Sequence, residues 1–369
     1  MQQWLSREDA LAMLGVRPQT LYAYVSRRLI ERQADPADPR RSLYRGEDIL
    51  ALTSRRARGR RRTAIAASAM AWGEPVISTA ISTVRHGRLI FRDLDAARLA
   101  ETATLEEVAA LLWQQADLRD FPVKDAAADP FAALAGLVAD ARSTLGRPPA
   151  RLTRDAAGAV AVLAAAFGGH GDGTIHERLA RGWSVGAVES DLIRRALVLL
   201  ADHELNPSTF ASRVAASTGA SLPASLLAGL AALSGPRHGG AGAMLAALVA
   251  EATRIGTDAA VARWLASGHR LPGFGHPLYP HGDPRAAALL AQVALDPLLA
   301  ELRSAVADAT EAVPNIDFAL LAITRAAAFP PDASFRLFAV ARSVGWVAHA
   351  MEQAASGAVI RPRAIYDAR

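Results

Sequence analysis

From about residue 95 onward the chain keeps repeating one pattern, apolar residues three and four apart, as in Leu105, Val108, Ala109 and Leu112 and again in Leu192, Ala196 and Leu199. That period marks one face of an α-helix, and it excludes most sheet-based folds for this part of the chain. Alternation of the strand type is confined to Thr79–Phe91, where Arg85-His86-Gly87-Arg88 reads as a hairpin turn. Glycine and proline mark breaks at Gly146-Arg147-Pro148-Pro149, Gly168 to Gly173, Pro207, Gly219 and Phe329-Pro330-Pro331-Asp332. The expected fold class is all-α, without an internal repeat. The longest uncharged apolar run, Ala156 to Gly169, has 14 residues, fewer than the ~20 that a membrane-spanning helix needs. The chain has no cysteine, which fits a reducing compartment. Met1-Gln2-Gln3-Trp4 leads directly into a charged helix, with no signal-peptide pattern. The expectation is a soluble cytoplasmic protein with no membrane partner.

Charge is distributed unevenly. Residues 1–62 hold 14 arginines against 7 acids, while the remainder is close to balance, with 27 basic and 29 acidic residues. A basic module on a near-neutral body is an electrostatic footprint for nucleic acid. Ser6 can cap a helix with Asp9 three residues on, and Gly15 can end it. Pro18 suits the first turn of a second helix that buries Leu21 and Val25 and exposes Gln19, Thr20, Tyr22, Ser26, Arg27 and Arg28. Arg32 to Tyr44 fits a hairpin or wing, and Gly46-Glu47-Asp48 opens a third helix with Ile49, Leu50 and Leu52. Residues 1–54 thus resemble the small winged helix-turn-helix of MerR-like or excisionase-like proteins. That resemblance implies duplex DNA as a partner of residues 1–62, read by Gln19, Thr20, Tyr22, Arg27 and Arg28. The run Arg55 to Arg62, within a linker over 55–70, would add phosphate contacts without base information. A protein-interaction module with a solvated linker accounts for the same composition.

Two segments each set a histidine among glycines, Gly235-Pro236-Arg237-His238-Gly239-Gly240 and Pro272-Gly273-Phe274-Gly275-His276; a third, Pro314-Asn315-Ile316-Asp317, adds a carboxylate. Two imidazoles and a carboxylate can take a proton from a carbon beside a carbonyl. The carboxylate is the base, one imidazole hydrogen-bonds the enolate oxygen, and the other polarises a second carbonyl for attack. Taken singly, the same residues also suit structural roles: Asp317 as a helix cap, Arg342 in a buried ion pair, His203 as a satisfied core histidine.

Their surroundings narrow the choice. Asp202-His203-Glu204-Leu205-Asn206-Pro207-Ser208-Thr209 is similar to a "HELNAST" motif, Gly235 to Gly240 to "GPLHGG", and Gly273 to Arg285 to "GFGH…DPR". With Thr79 to Asp95, Thr104 to Val108, Ala341 to His349 and Arg361-Pro362-Arg363, these are ordered as in the citrate synthase family, which the chain resembles from about Ser78 to Arg363. The resemblance implies a large helical domain (71–237 and 323–369) and a small one (238–322), with the site in the cleft between them. It implies an acyltransferase that condenses acetyl-CoA or propionyl-CoA with oxaloacetate through an enolate and releases CoA, with no cofactor and no metal. Asp317 would be the base, His238 the neutral donor to the enolate, and His276 the donor to the ketone. His203, Arg285, Arg342 and Arg361 would hold oxaloacetate, and Gly273, Phe274 and Gly275 would meet the coenzyme. A homodimer is implied, with Arg361 serving the partner's site. A metabolite-sensing, DNA-binding transcription regulator built on the same domain is the alternative.

The loop after the second histidine departs from the family. A pattern such as "GHRVYK" places two cations there, whereas this chain has His276-Pro277-Leu278-Tyr279-Pro280-His281, with proline at both cationic positions. The remaining histidines, His86, His269, His281 and His349, read as surface or packing residues. His170 and His176 flank Gly171-Asp172-Gly173 without a further ligand cluster.

Overall fold

The computed structural model describes residues 4–26, 29–36, 38, 41–49, 77–116, 118, 121–268 and 270–362. They fall into two compact units, one within Met1–Ser78 and the other Thr79–Pro362.

In the first unit, Ser6 caps the helix Arg7–Leu14 by accepting the Asp9 N–H, and its hydroxyl also donates to Asp9 Oδ2 at 2.6 Å. Gly15, at φ 56°, ends that helix in the left-handed conformation. The second helix, Pro18–Ser26, starts on its proline. Three antiparallel strands, β1 (Trp4–Leu5), β2 (Arg32–Ala34) and β3 (Ser42–Arg45), pair in the order β1-β3-β2. The β2–β3 hairpin occupies the segment read as a wing. The β1 strand corrects the expectation of a chain that begins in a helix. It is too short to show alternation, and what fixes it is pairing with Arg45 and Tyr44. Ala10, Leu14, Leu21, Ile30, Tyr44 and Ile49 make a small core, with Val25 packed at its edge. Gln19, Tyr22 and Ser26 are exposed and Thr20 is half-buried. Arg27, Arg28, Leu50, Leu52 and the Arg55–Arg62 run lie outside the described residues.

The second unit opens with an antiparallel sheet of β4 (Ser82–Arg85), β5 (Arg88–Phe91) and β6 (Leu94–Asp95). Its hairpin turns at His86 (φ 50°) and Gly87 (φ 72°), the pair of positive angles that a two-residue turn requires. Helices follow to the end of the described chain. Thr104 and Glu107 form a full capping box at Leu105–Trp113, and Asp95 caps Ala96–Thr102. The large core gathers around the 24-residue helix Ala333–Ser356, whose Trp346 is wholly buried. A second core, with Leu245, Leu248, Phe274, Leu299, Leu302 and Phe318, forms within the stretch 238–322. The helix Ile316–Ala326 serves both: Ile316, Ala319, Leu320 and Ile323 enter the large core, and Phe318 and Ala322 the small one. No helix among the described residues is long and apolar enough to cross a membrane.

Candidate active site

Three turns and one long helix carry the charged and aromatic side chains that meet within the second unit. The first turn follows the helix Ala187–Leu200, where Asp202 and His203 are buried. Asn206 then caps Pro207–Ser217 by accepting the Thr209 N–H. His203 Nε2 lies 2.9 Å from the Tyr279 hydroxyl, and its ring meets the His276 ring edge-on at 5.2 Å. Burial, and then Arg285 and Arg342, push the His203 imidazole well below its ordinary value. His203 is therefore neutral near pH 7 and sits amid the other candidates.

The second turn is Gly235–Gly240, which places His238 above the first. His238 Nε2 is 2.8 Å from Ser208 Oγ, and its ring stands edge-on to Phe338 at 6.0 Å. Ser208 also takes the Trp346 indole N–H at 3.1 Å and lies 2.7 Å from Asn206 Oδ1. Burial and the nearby Arg342 lower His238 to about 4, so the ring is neutral across the physiological range. For Nδ1 to carry the proton, Ser208 must donate to Nε2 rather than to Asn206.

The third turn and the base are locked to each other. Gly275 donates to Val313 O, Asn315 N–H to Gly273 O and Asn315 Nδ2 to Gly275 O, each within 3.0 Å. Gly273 (φ 84°) needs glycine doubly, because a Cβ there would come within 3.0 Å of the Leu245 side chain. Phe274 packs on Phe318 at 5.1 Å in the small core, so the ring of this coenzyme candidate is committed to packing. Asn315, not Asp317, caps Ile316–Ala326 and accepts the Asp317 N–H. That leaves the Asp317 carboxyl out of the cap, in the first helical turn. Burial raises it to about 6, with Arg285 opposing and Asp283 adding to the rise. Nδ1 of His276 accepts the Leu278 N–H at 3.2 Å, so the ring proton sits on Nε2. Burial, and then Arg285, bring His276 down to about 4.

The two buried arginines differ. Arg285 forks onto Asp283, with Nε to Oδ1 at 2.9 Å and Nη2 to Oδ2 at 2.7 Å, and lies over the Tyr279 ring at 5.3 Å. Asp283 Oδ2 also takes the Ile316 N–H at 3.1 Å, which ties this pair to the start of the Asp317 helix. Arg342 gives its Nε–H to Leu200 O at 2.8 Å and covers the Phe338 ring at 4.7 Å, but its Nη2, though buried, has no partner. Burial lowers Arg342 to about 10, which leaves it a cation. An unpaired buried cationic nitrogen is costly, and a carboxylate is the ligand that would satisfy it. Arg361 stands apart: it is exposed beyond the long helix, with no bond to the others among the described residues.

Sequence reasoning passed over four residues that the site uses: Tyr279, Ser208, Asp283 and Phe338. Asp283 carried a visible signal, since Asp-Pro at a helix start is a cap pattern; the other three depend on tertiary contacts. Among the remaining histidines, His349 is wholly buried between Asp202 and Arg213, His86, His170 and His281 are exposed, and His269 lies outside the described residues. His176 bonds Thr174. Among the described residues no group of three or more such side chains could hold a metal.

Residues 160–363 match the family model for the citrate synthase C-terminal domain, more than half of the chain, and the chain belongs to the citrate synthase family. Citrate synthase 2 of Bacillus subtilis (strain 168) is 33% identical over 190 residues, covering 48% of this chain and 51% of that one. A 2-methylcitrate synthase of Mycobacterium tuberculosis (strain Erdman) is 34% identical over 187 residues, covering 47% of each. The chain thus spans about half the length of these relatives. Among solved structures, the citrate synthase of Thermoplasma acidophilum, in a ternary complex with carboxymethyl coenzyme A and oxaloacetate, matches 80% of this chain and 94% of that one, with a TM-score of 0.67 at 24% identity. That likeness is one of fold.

Proposed function

We propose that this protein is a citrate synthase-like acyltransferase that condenses acetyl-CoA or propionyl-CoA with oxaloacetate. The observation that carries this is the pairing of one carboxyl raised to about 6 with two imidazoles lowered to about 4 in the same site. A carboxylate of that basicity is still ionised at pH 7, yet takes up a proton more readily than an exposed one. Asp317 removes a proton from the acyl carbon next to the thioester carbonyl. His238 donates to the enolate oxygen from Nδ1, with Ser208 holding Nε2. The carbon nucleophile adds to the ketone of the oxo acid, and His276 Nε2–H supplies the proton to the new alkoxide. Water then cleaves the thioester and CoA leaves. Arg342, with its unpartnered Nη2, takes a substrate carboxylate, and Arg285 and His203 line the same pocket. Gly273 and Gly275 offer backbone to the coenzyme, and in a homodimer Arg361 reaches the partner subunit's site. The test is mass-spectrometric identification of the product from carbon-13-labelled acetyl-CoA plus oxaloacetate. A labelled tricarboxylate supports the reading; unreacted oxaloacetate with either donor refutes it.

Residues 1–62 carry a second reading, a winged helix-turn-helix module that binds duplex DNA. The Ser6 cap, the left-handed Gly15 turn, the Pro18 start and the β2–β3 hairpin favour it, as does a surface that presents Gln19 and Tyr22. A cytoplasmic setting suits both readings, and a sensing regulator would combine them. Binding should weaken steeply with salt. No gel shift at micromolar protein and low salt refutes it.

A further inference from the structure

Asp202 has no part in the chemistry above, yet it is a wholly buried carboxylate next to His203. Both of its hydrogen bonds end on one oxygen: Oδ2 accepts from the Ser82 hydroxyl and from His349 Nε2, the latter at 3.2 Å. Its Oδ1 has no partner. Nδ1 of His349 faces the Arg213 guanidinium at 3.1 Å and must accept there, so Nε2 carries the proton given to Asp202. No arginine or lysine among the described residues lies within ion-pair distance of Asp202, and no acid lies within that distance of Arg342. The two orphaned charges sit on segments in direct backbone contact. Arg342 bonds Leu200 O, and Gly345, one turn further along the same helix, gives its N–H to Ala201 O at 3.0 Å. A Cβ on Gly345 would come to 2.4 Å from both Ala201 O and Asp202 Oδ1. Each charge acts on the other: against burial, His349 and Arg342 hold Asp202 below its ordinary value, and Asp202 opposes the lowering of Arg342 by burial.

We propose that Asp202 is a positioning residue, the resident counter-charge of the oxo-acid site. It stabilises Arg342 while the site is empty and repels the dicarboxylate that replaces it, so the site binds its anion less tightly than Arg342 alone would allow. This rests on the reading of Arg342 as the cation for the oxo acid.

Asp202→Asn isolates the charge, because the amide oxygen can keep both bonds at the Oδ2 position and the amide nitrogen falls where Oδ1 has no partner. Calorimetric titration with oxaloacetate should show binding roughly three- to tenfold tighter than in the wild type, the effect of removing one like charge at an effective dielectric near 20. The melting temperature without ligand should fall, and the rise on adding oxaloacetate should grow. Damage to the site weakens binding, so a gain in affinity separates a charge effect from a structural one. Ser82→Ala keeps the charge while removing one bond, and its affinity should be equal or lower; a comparable gain there would overturn the proposal. Equal or weaker binding by Asp202→Asn also overturns it. If that variant is unfolded alone, oxaloacetate must restore its melting transition, and failure to do so overturns it too. A wild type that does not bind oxaloacetate refutes the parent reading first, and this one with it.

Discussion

The arginines of the two units live in opposite surroundings. In the first unit Arg41 and Arg45 lie at the surface and pair with Asp38, Asp48 and Glu31 in the open. In the second, Arg285 and Arg342 are 2% and 1% exposed and stand among neutral imidazoles and a carboxyl raised to about 6. Exposed charges are screened and contribute little singly, so a basic surface acts through its sum. Buried charges act at short range, and each position matters. The net charge of the chain reports only the first kind. The chemistry proposed here depends on the second.

Substitutions in the two regions should therefore differ in scale. The largest effect should come from Asp317→Asn, which keeps the shape of the first turn and removes the base. Turnover should drop by ~10² to 10⁴-fold with oxaloacetate binding retained; a variant that turns over normally would take Asp317 out of the mechanism. Arg342→Leu should come next, raising the Michaelis constant for oxaloacetate by ~10²-fold, equivalent to about 3 kcal/mol of lost charge-assisted bonding. An unchanged constant would mean that the unpartnered Nη2 faces no substrate.

Acid should act on both rate and stability. Turnover should fall as pH drops through about 6, where Asp317 gains its proton. The unfolded chain protonates its histidines near the ordinary 6.5, whereas His238 and His276 wait until about 4 in the fold. Between those values the unfolded state binds more protons, so stability drops with pH. Asp317 works the other way, since its folded carboxyl is the one raised. Two lowered histidines against one raised acid predict a net decline in melting temperature from pH 7 to 5. A flat or rising curve would contradict the neutral-imidazole assignment. The smallest effect should be Pro277→Arg, which restores a cation near the coenzyme. It should lower the acetyl-CoA Michaelis constant by up to roughly tenfold, and a raised constant in a folded variant would place the coenzyme's grip elsewhere.

Local rules made much of this legible from sequence. Ser6, Gly15, Pro18 and the Arg85–Arg88 turn all act as their residue types suggest, because caps and turns are settled within a few residues. His238, His276 and Asp317 stood out by motif, and the folded chain gathers them with His203, Arg285 and Arg342. What was hidden is tertiary. Ser208 meets His238 across 30 positions and Trp346 across 138. The Asp202–His349 contact spans 147. Neither β1 nor the division of one helix between two cores leaves a local signal, since each is decided by a distant partner.

The most direct test is a thiol-release assay on the full-length protein, with oxaloacetate added to acetyl-CoA or propionyl-CoA at pH 7 to 8. The account predicts release of CoA that requires both substrates and is lost in Asp317→Asn. Absence of release with either donor, from protein that is folded and binds oxaloacetate, would contradict it.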